Sequence, residues 1–341
     1  RKTEGVRFTS PGAGTVAAIN RGARRALRSV VVQLSETEVA GKVGTEDLQQ
    51  FSSFTRREVG ELDGQMIRDL LVESGLWTAI RRRPFSNVPS PSETCSSVFV
   101  TATDTNPLSP DPEVVLAECI DDFNRGLHVL SGLTEGPVYL CCGPGSKLDG
   151  GGAPRVQIEE FHGPHPAGLA GTHIHTLDPV HREKSVWYIG YQDVTAIGRL
   201  FASGELPVDR VVALSGPLAR SPRLLVTRIG APTDVLVADE LFPGDARLVS
   251  GPVIYGRWAM GEVDGYLGRY ANQISCLAED RRRWFLGWML PGMNLFSVTR
   301  AYASCLKSKK TRYDFTTSSH GGHRAMVPIG SFERVMPLDI M

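Results

Sequence analysis

No apolar run in the 341-residue sequence approaches the ~20 residues that span a bilayer, so any membrane association has to be indirect. Neither charge sign is in surplus: 37 basic and 37 acidic side chains balance. That argues against a nucleic-acid binder, which would normally carry a basic excess. Cysteine is sparse. Cys95, Cys119, Cys141, Cys142, Cys276 and Cys305 form no Cys-x-x-Cys pair, which fits a reducing compartment rather than a disulfide framework. Adjacent Cys141 and Cys142 would face opposite sides of a strand and read as small buried residues. An initiator Met and a signal peptide are both missing, and Arg1-Lys2-Thr3 reads as a start inside a domain.

Several motifs are also missing. Neither Gly-x-Gly-x-x-Gly nor the Gly-x-x-x-x-Gly-Lys phosphate loop occurs. Gly143-Pro144-Gly145-Ser146 and Asp149-Gly150-Gly151-Gly152 are rich in glycine, but their neighbouring prolines remove backbone donors, so they read as surface loops. No Gly-x-Ser-x-Gly elbow supports nucleophilic catalysis.

The length suggests two or three domains. Residues 6–34 read as short strands with tight turns: Val6 to Thr9, Thr15 to Ile19 and Ser29 to Leu34, split by Ser10-Pro11-Gly12 and Asn20-Arg21-Gly22. Residues 35–73 are polar and helix-rich, with Leu62, Met66, Ile67, Leu70 and Leu71 at helical spacing. From 96 to about 218 strands and helices alternate, the signature of a parallel α/β sheet. Its strands are Ser97 to Thr101, Val138 to Cys141, Val156 to Glu159 and Arg210 to Leu214. Asp111 is placed as an N-cap, with Pro112 in the first helical turn. A single helix behind it would bury Val115, Leu116, Cys119, Ile120, Phe123, Leu127 and Leu130. A second helix runs from Gln192 to Phe201. Residues 222–256 return to short strands at Arg223 to Thr227, Asp234 to Val237 and Arg247 to Gly251. Beyond 272 the Trp-, Arg- and Met-rich chain suggests helices interrupted at Pro291-Gly292.

Two clusters carry possible chemistry. His162, His165, His173, His175 and His181 fall within twenty residues. His-x-His on a strand would aim two rings to one side, as a zinc site needs. Against a metal enzyme, no carboxylate or thiolate stands at ligand spacing and no His-Glu-x-x-His occurs, so a shaped, hydrogen-bonded loop is the plainer reading. The other cluster is Trp77-Thr78-Ala79-Ile80-Arg81-Arg82-Arg83-Pro84-Phe85. Its three successive arginines suit an anion, a partner's carboxylate patch or the polar head of a quinone, with a solvated basic turn as the plain alternative. In an extended chain Arg81 and Arg83 would share one side, with Phe85 in line.

Longer strings resemble a known family. Ser74-Gly75-Leu76-Trp77-Thr78-Ala79-Ile80-Arg81-Arg82-Arg83-Pro84-Phe85-Ser86, Ala102 to Leu108, Gly163 to Leu169, Gly171 to His175, Gly190 to Val194, Arg324 to Gly330 and Glu333 to Ile340 are similar to the A subunit of the Na+-translocating NADH:quinone reductase. The resemblance implies a partial biotinyl/lipoyl-like barrel-sandwich module (1–36), a Rossmann-like α/β domain (37–218), a β-grasp ligand-binding module (219–271) and a mostly helical C-terminal region (272–341). It implies a peripheral subunit on the cytoplasmic face of the bacterial inner membrane, working with other subunits that include membrane-embedded ones. Flavins and iron centres are then expected in those partners, and no catalytic residue or metal site in this chain. Ubiquinone is the ligand it implies here, with Trp77, Arg81, Arg83 and Phe85 as the candidate contacts.

A remoter resemblance is to the flavin- and NADH-binding subunit of respiratory complex I. There a Ser-Gly-Leu turn leads into a glycine-rich phosphate cradle. Here Ser74-Gly75-Leu76 is followed by Trp77 to Arg82, so every cradle glycine is replaced by a residue with a Cβ. Val249-Ser250-Gly251-Pro252 resembles the β-grasp turn of that relative. A stand-alone flavin or nicotinamide oxidoreductase is the alternative, followed by a metal-dependent enzyme.

Overall fold

The computed structural model describes residues 4–44, 48, 50–282, 285–296, 302–308 and 311–318. They form mixed α/β sheets in two compact units that part at Val211/Val212, with 226–230 belonging to the first.

The first unit opens with an antiparallel hairpin, β1 (Gly14–Arg21) and β2 (Leu27–Leu34), kinked by irregular pairing between Val16 and Ala18. The strand expected at Val6 to Thr9 does not form. Val6 packs against the main core instead, and the Thr9 hydroxyl donates to the Ser74 carbonyl at 2.9 Å. Ser35 caps the short α1 (Glu36–Val39). The helix expected around Leu62 begins later, as α2 (Gly64–Glu73), because Asp63 caps it by accepting from the Met66 amide at 2.8 Å. Its buried stripe is Ile67, Leu70 and Leu71.

A five-stranded sheet follows. It is built from β3 (Arg81–Arg83), β4 (Val98–Ala102), β5 (Val138–Cys142), β6 (Val156–Glu160) and β7 (Val186–Gly190) in the order β3-β7-β4-β5-β6. β7, β4, β5 and β6 run parallel, and β3 lies antiparallel on the β7 edge. Both Cys141 and Cys142 are buried, as their strand position requires. The expected single helix behind Asp111 is two: α3 (Pro112–Leu116) and α4 (Ile120–Ser131). Cys119 leaves the helical basin at φ −135° and ψ 29°. Helical periodicity reads through this break because both helices bury the same apolar stripe. The helix α5 (Ala170–Leu177) precedes β7, and α6 (Tyr191–Ser203) follows it.

The helices α4 and α6 cross at backbone distance. A Cβ on Gly126 would stand 2.1 Å from the Val194 carbonyl oxygen, and one on Gly198 would stand 1.8 Å from that of Asp122. Beneath the sheet Trp77 and Trp187 meet edge to face, their centroids 5.5 Å apart. The Arg68 guanidinium lies 5.6 Å and 5.7 Å from those two rings. It donates to the carbonyls of Pro91 (3.0 Å), Glu93 (2.9 Å) and Leu133 (3.2 Å). One side chain thereby ties α2 to two separate loops.

The second unit holds most of a mixed five-stranded sheet with elements β8 (Asp209–Ser215), β9 (Arg223–Arg228), α7 (Thr233–Leu236), β10 (Ala246–Ser250), β11 (Arg257–Trp258), α8 (Gly261–Asp264) and β12 (Gln273–Ala278), the division passing through β8 and β9. The order is β11-β10-β12-β8-β9, and β12 runs parallel to β8. Three expectations change here. β8, read with the preceding strands, pairs in this sheet. The segment read as a strand at Asp234 to Val237 is the helical turn α7, seated by the buried Thr233 hydroxyl on the Ala259 carbonyl at 2.8 Å. Residues 273–278, expected to be helical, are a central strand whose Ile274 and Cys276 fill the core. After it the described residues contain only single 3-10 turns at Gly287–Met289 and Ala303–Leu306. Arg1 to Thr3 and the strings from Arg324 to Gly330 and Glu333 to Ile340 lie outside the described residues.

Candidate functional site

The arginine run lies half-buried on the edge strand of the first sheet. β3 pairs Arg81 with Tyr188, Arg82 with Trp187 and Arg83 with Val186. Strand alternation sends Arg81 and Arg83 to one face and Arg82 to the other. There Arg82 pairs with Glu93 at 2.6 Å. The Arg83 guanidinium sits 5.6 Å from the Tyr188 ring centroid, a cation–π arrangement. Its far end reaches the first turn of α5, where a Cβ on Gly171 would stand 2.6 Å from Nη2. The Tyr188 hydroxyl donates to Ser86 Oγ at 3.1 Å. Phe85 is 77% exposed.

Of the expected contacts, Arg81 and Arg83 share one face of β3, but Phe85 does not continue that strand: residues 84–86 form a turn that folds back, so that the Arg82 amide donates to the Asn87 carbonyl at 2.7 Å. Trp77 lies elsewhere: it is fully buried, and its indole N–H donates to the Pro89 carbonyl at 2.9 Å. Sequence reading missed Tyr188, Ser86 and Gly171. Nothing local marks Tyr188 or Gly171 as partners, since strand pairing and the following helix bring them there from about ninety to a hundred residues away in the chain.

The Ser74-Gly75-Leu76 turn is closed over by the chain itself. Gly75 takes φ +80°, and a Cβ there would stand 2.6 Å from Thr9 Oγ1. Leu76 to Ala79 form a buried 3-10 turn. Backbone amides that a phosphate would need are inside the core at this turn.

The histidine segment is a loop followed by a helix. The expected His-x-His pair rides on α5, where residues two apart point roughly 200° apart. His173 is therefore buried, and His175 is exposed. His173 Nε2 stands 2.8 Å from the Ala167 carbonyl oxygen, and the ring centroid lies 4.1 Å from that of Phe161. Among the described residues its Nδ1 has no hydrogen-bond partner. Burial pushes the imidazole down to about 4, against the hydrogen bond to Ala167, so the ring stays neutral near pH 7. Exposed His162 stands 3.3 Å from Glu160. The loop packs on the end of β4: Thr105 Oγ1 is 3.3 Å from His165 Nδ1 and accepts from the Gly168 amide at 2.9 Å. Beside it, burial raises the Asp104 carboxyl, while hydrogen bonds from the Asn106 amide and side chain act the other way. Among the described residues no group of three His, Cys, Asp or Glu is placed to hold a metal ion.

Comparison with known proteins matches three parts of the chain. Residues 1–35 match the NqrA N-terminal barrel-sandwich hybrid domain, 62–206 the NqrA second alpha/beta domain and 211–260 the NQRA C-terminal domain. The NqrA subunit of the Na(+)-translocating NADH-quinone reductase of Histophilus somni strain 2336 is 49% identical over 341 residues, covering 100% of this chain and 74% of its own length. That of Hahella chejuensis strain KCTC 2396 is 50% identical over the same span and coverage. The chain belongs to the NqrA family. The arginine edge and the histidine loop both fall in the second alpha/beta domain of that family. The hairpin β1–β2 falls in its barrel-sandwich domain. A crystal structure of an NAD+-reducing nickel–iron hydrogenase overlaps with a TM-score of 0.49 at 15% identity, over 70% of this chain and 50% of that one.

Proposed function

We propose that this chain is a peripheral subunit of a Na+-translocating NADH:quinone reductase complex, on the cytoplasmic face of the inner membrane. In this reading it supplies structure and a quinone-proximal surface, and no redox group of its own. The observation that carries it is the 49% to 50% identity to NqrA proteins along the entire chain. No helix among the described residues is long and apolar enough to cross a membrane, so partner subunits would hold it in place. We read the first sheet as Rossmann-like, supported by its reversal of strand order between β4 and β7, and the second as β-grasp, supported by its parallel β12–β8 pair beside antiparallel β10. The boundary between them falls within β8 at Val211/Val212, and its residues 213–215 pair with β12 of the second sheet.

Two features support leaving the flavins and iron centres to partners. Thr9 lies over Gly75, and Trp77 to Ile80 are core residues where a phosphate cradle would need open backbone. The candidate quinone surface is the β3 edge. Arg81 or Arg83 would donate to a quinone carbonyl, and Phe85 would stack on the ring. Trp77 packs instead on Trp187 of the neighbouring strand β7. The rival for the same residues is docking against acidic groups of a neighbouring subunit.

The test is purification of the full-length protein from membranes. Co-purification of the partner subunits, with no flavin absorbance in the separated chain, is the expected result. A chain that emerges alone with stoichiometric flavin would make it a stand-alone oxidoreductase. About one zinc per chain, lost on replacing His173 and His175 with Asn, would favour the metal enzyme.

A further inference from the structure

The tip of the β1–β2 hairpin concentrates charge that the proposed function does not use. Arg21 ends β1, Arg24 and Arg25 lie in the connecting turn, and Arg28 follows at the start of β2; all four are exposed. From residue 5 to residue 35 the sequence holds five arginines and no Asp or Glu, although the whole chain balances at 37 and 37.

The turn is built rather than loose. The Gly22 amide donates to the Ala26 carbonyl at 2.8 Å, and Arg21 Nη1 donates to the Arg25 carbonyl at 3.2 Å. Arg24 and Arg25 take φ of 54° and 60°, the left-handed region that residues other than glycine rarely adopt. Such strain at two successive cations is a reason to look for a role. Neither forms an ion pair among the described residues. Leu27, paired across from Arg21, is 59% exposed beside them.

A hairpin tip is convex, so it cannot enclose a small ligand, which takes a concave site. It can meet a broad anionic surface. We propose that this tip rests on anionic phospholipid headgroups, with the arginines on lipid phosphates and Leu27 dipping into the interface. Arginine suits this because its planar fork matches phosphate oxygens. The inference rests on the reading of the chain as part of a membrane complex, which puts it within reach of headgroups.

The experiment is flotation of the full chain with protein-free vesicles, either phosphatidylcholine alone or phosphatidylcholine with phosphatidylglycerol. The wild type floats with the anionic vesicles only, and added salt releases it. Arg24→Asn with Arg25→Asn lowers the partition about 30-fold, at ~1 kcal/mol for each lost cation. Asn tolerates the left-handed backbone, and an unchanged thermal melt checks the fold. Lys at both positions keeps the charge and retains binding. Three results overturn the proposal. The first is wild type that floats on neither vesicle, or on both equally. The second is a double-Asn variant that floats like wild type. The third is the same normal flotation with lost co-purification of partner subunits, which assigns the tip to an acidic protein face. Vesicles without protein leave the complex-membership reading untouched, so the two can fail separately.

Discussion

Replacing Arg68 with Met removes the donor that binds α2 to the loops at 89–93 and 133. The wild-type guanidinium makes three hydrogen bonds to carbonyls and lies near two tryptophan faces. Hydrogen bonds from a charged donor contribute roughly 1.5–3 kcal/mol each, and a cation–π contact ~0.5–2 kcal/mol. The simple sum overshoots, because the bonds are only partly buried and water can reach the freed carbonyls. Methionine also retains much of the apolar stem packing between the rings. A loss of ~3 kcal/mol is the net expectation. In a unit of this size that lowers the melting midpoint by roughly 6–12 °C. The loop at 89–93 holds both the Trp77 indole, through Pro89, and Arg82, through Glu93. Tryptophan fluorescence should therefore shift before global unfolding. Arg68→Lys keeps the charge but loses the fork, and falls between the two. A melt of Arg68→Met within about 2 °C of wild type would refute the reasoning, since it would mean that the stacked rings hold both loops without the guanidinium.

Phe85→Ala leaves stability within ~0.5 kcal/mol because the ring is exposed. In the assembled complex it weakens quinone-analogue binding by ~1–3 kcal/mol if a partner covers the ring; normal binding with failed co-purification would instead support docking. Glu73 feels burial, which raises its pKa, but hydrogen bonds from Ser53 and Ser52 outweigh it and hold the carboxyl at about 2 against the usual 4.5. A lowered folded pKa means its contribution is present above about pH 4.5 and lost as pH falls toward 2. After allowance for solvent screening, Glu73→Gln costs ~1 kcal/mol near neutral pH and flattens the acid side of the stability curve in denaturant titrations. Gly198→Ala drives a methyl into the Asp122 carbonyl and costs ~3 kcal/mol or more by chemical denaturation. A neutral outcome would show that α4 and α6 can separate freely.

Local chemistry was readable from the residues alone. The Asp111 cap, the strands at 98–102, 138–142 and 156–160, and the helix at 191–203 each carry their signal within a few residues. The family strings were readable for the same reason. The interruption at Cys119 was not, because it leaves the apolar period intact. Asp234 to Val237 was ambiguous because four apolar-rich residues suit a strand or a helical turn equally until Thr233 finds Ala259.

The site divides along the same line. The family strings marked the class of molecule, and the arginine run marked the segment worth testing. Only tertiary structure decided which of its aromatics meets solvent. Trp77 and Phe85 look alike in sequence, yet Trp77 is taken into the core by Trp187 and Arg68, while Phe85 stays exposed. The two histidines of His-x-His were separated by the helix they ride on, and Arg83 met Tyr188 through the pairing of β3 with β7. These outcomes depend on pairings between residues far apart in the chain, whose free energy exists only once the sheet and helices have assembled.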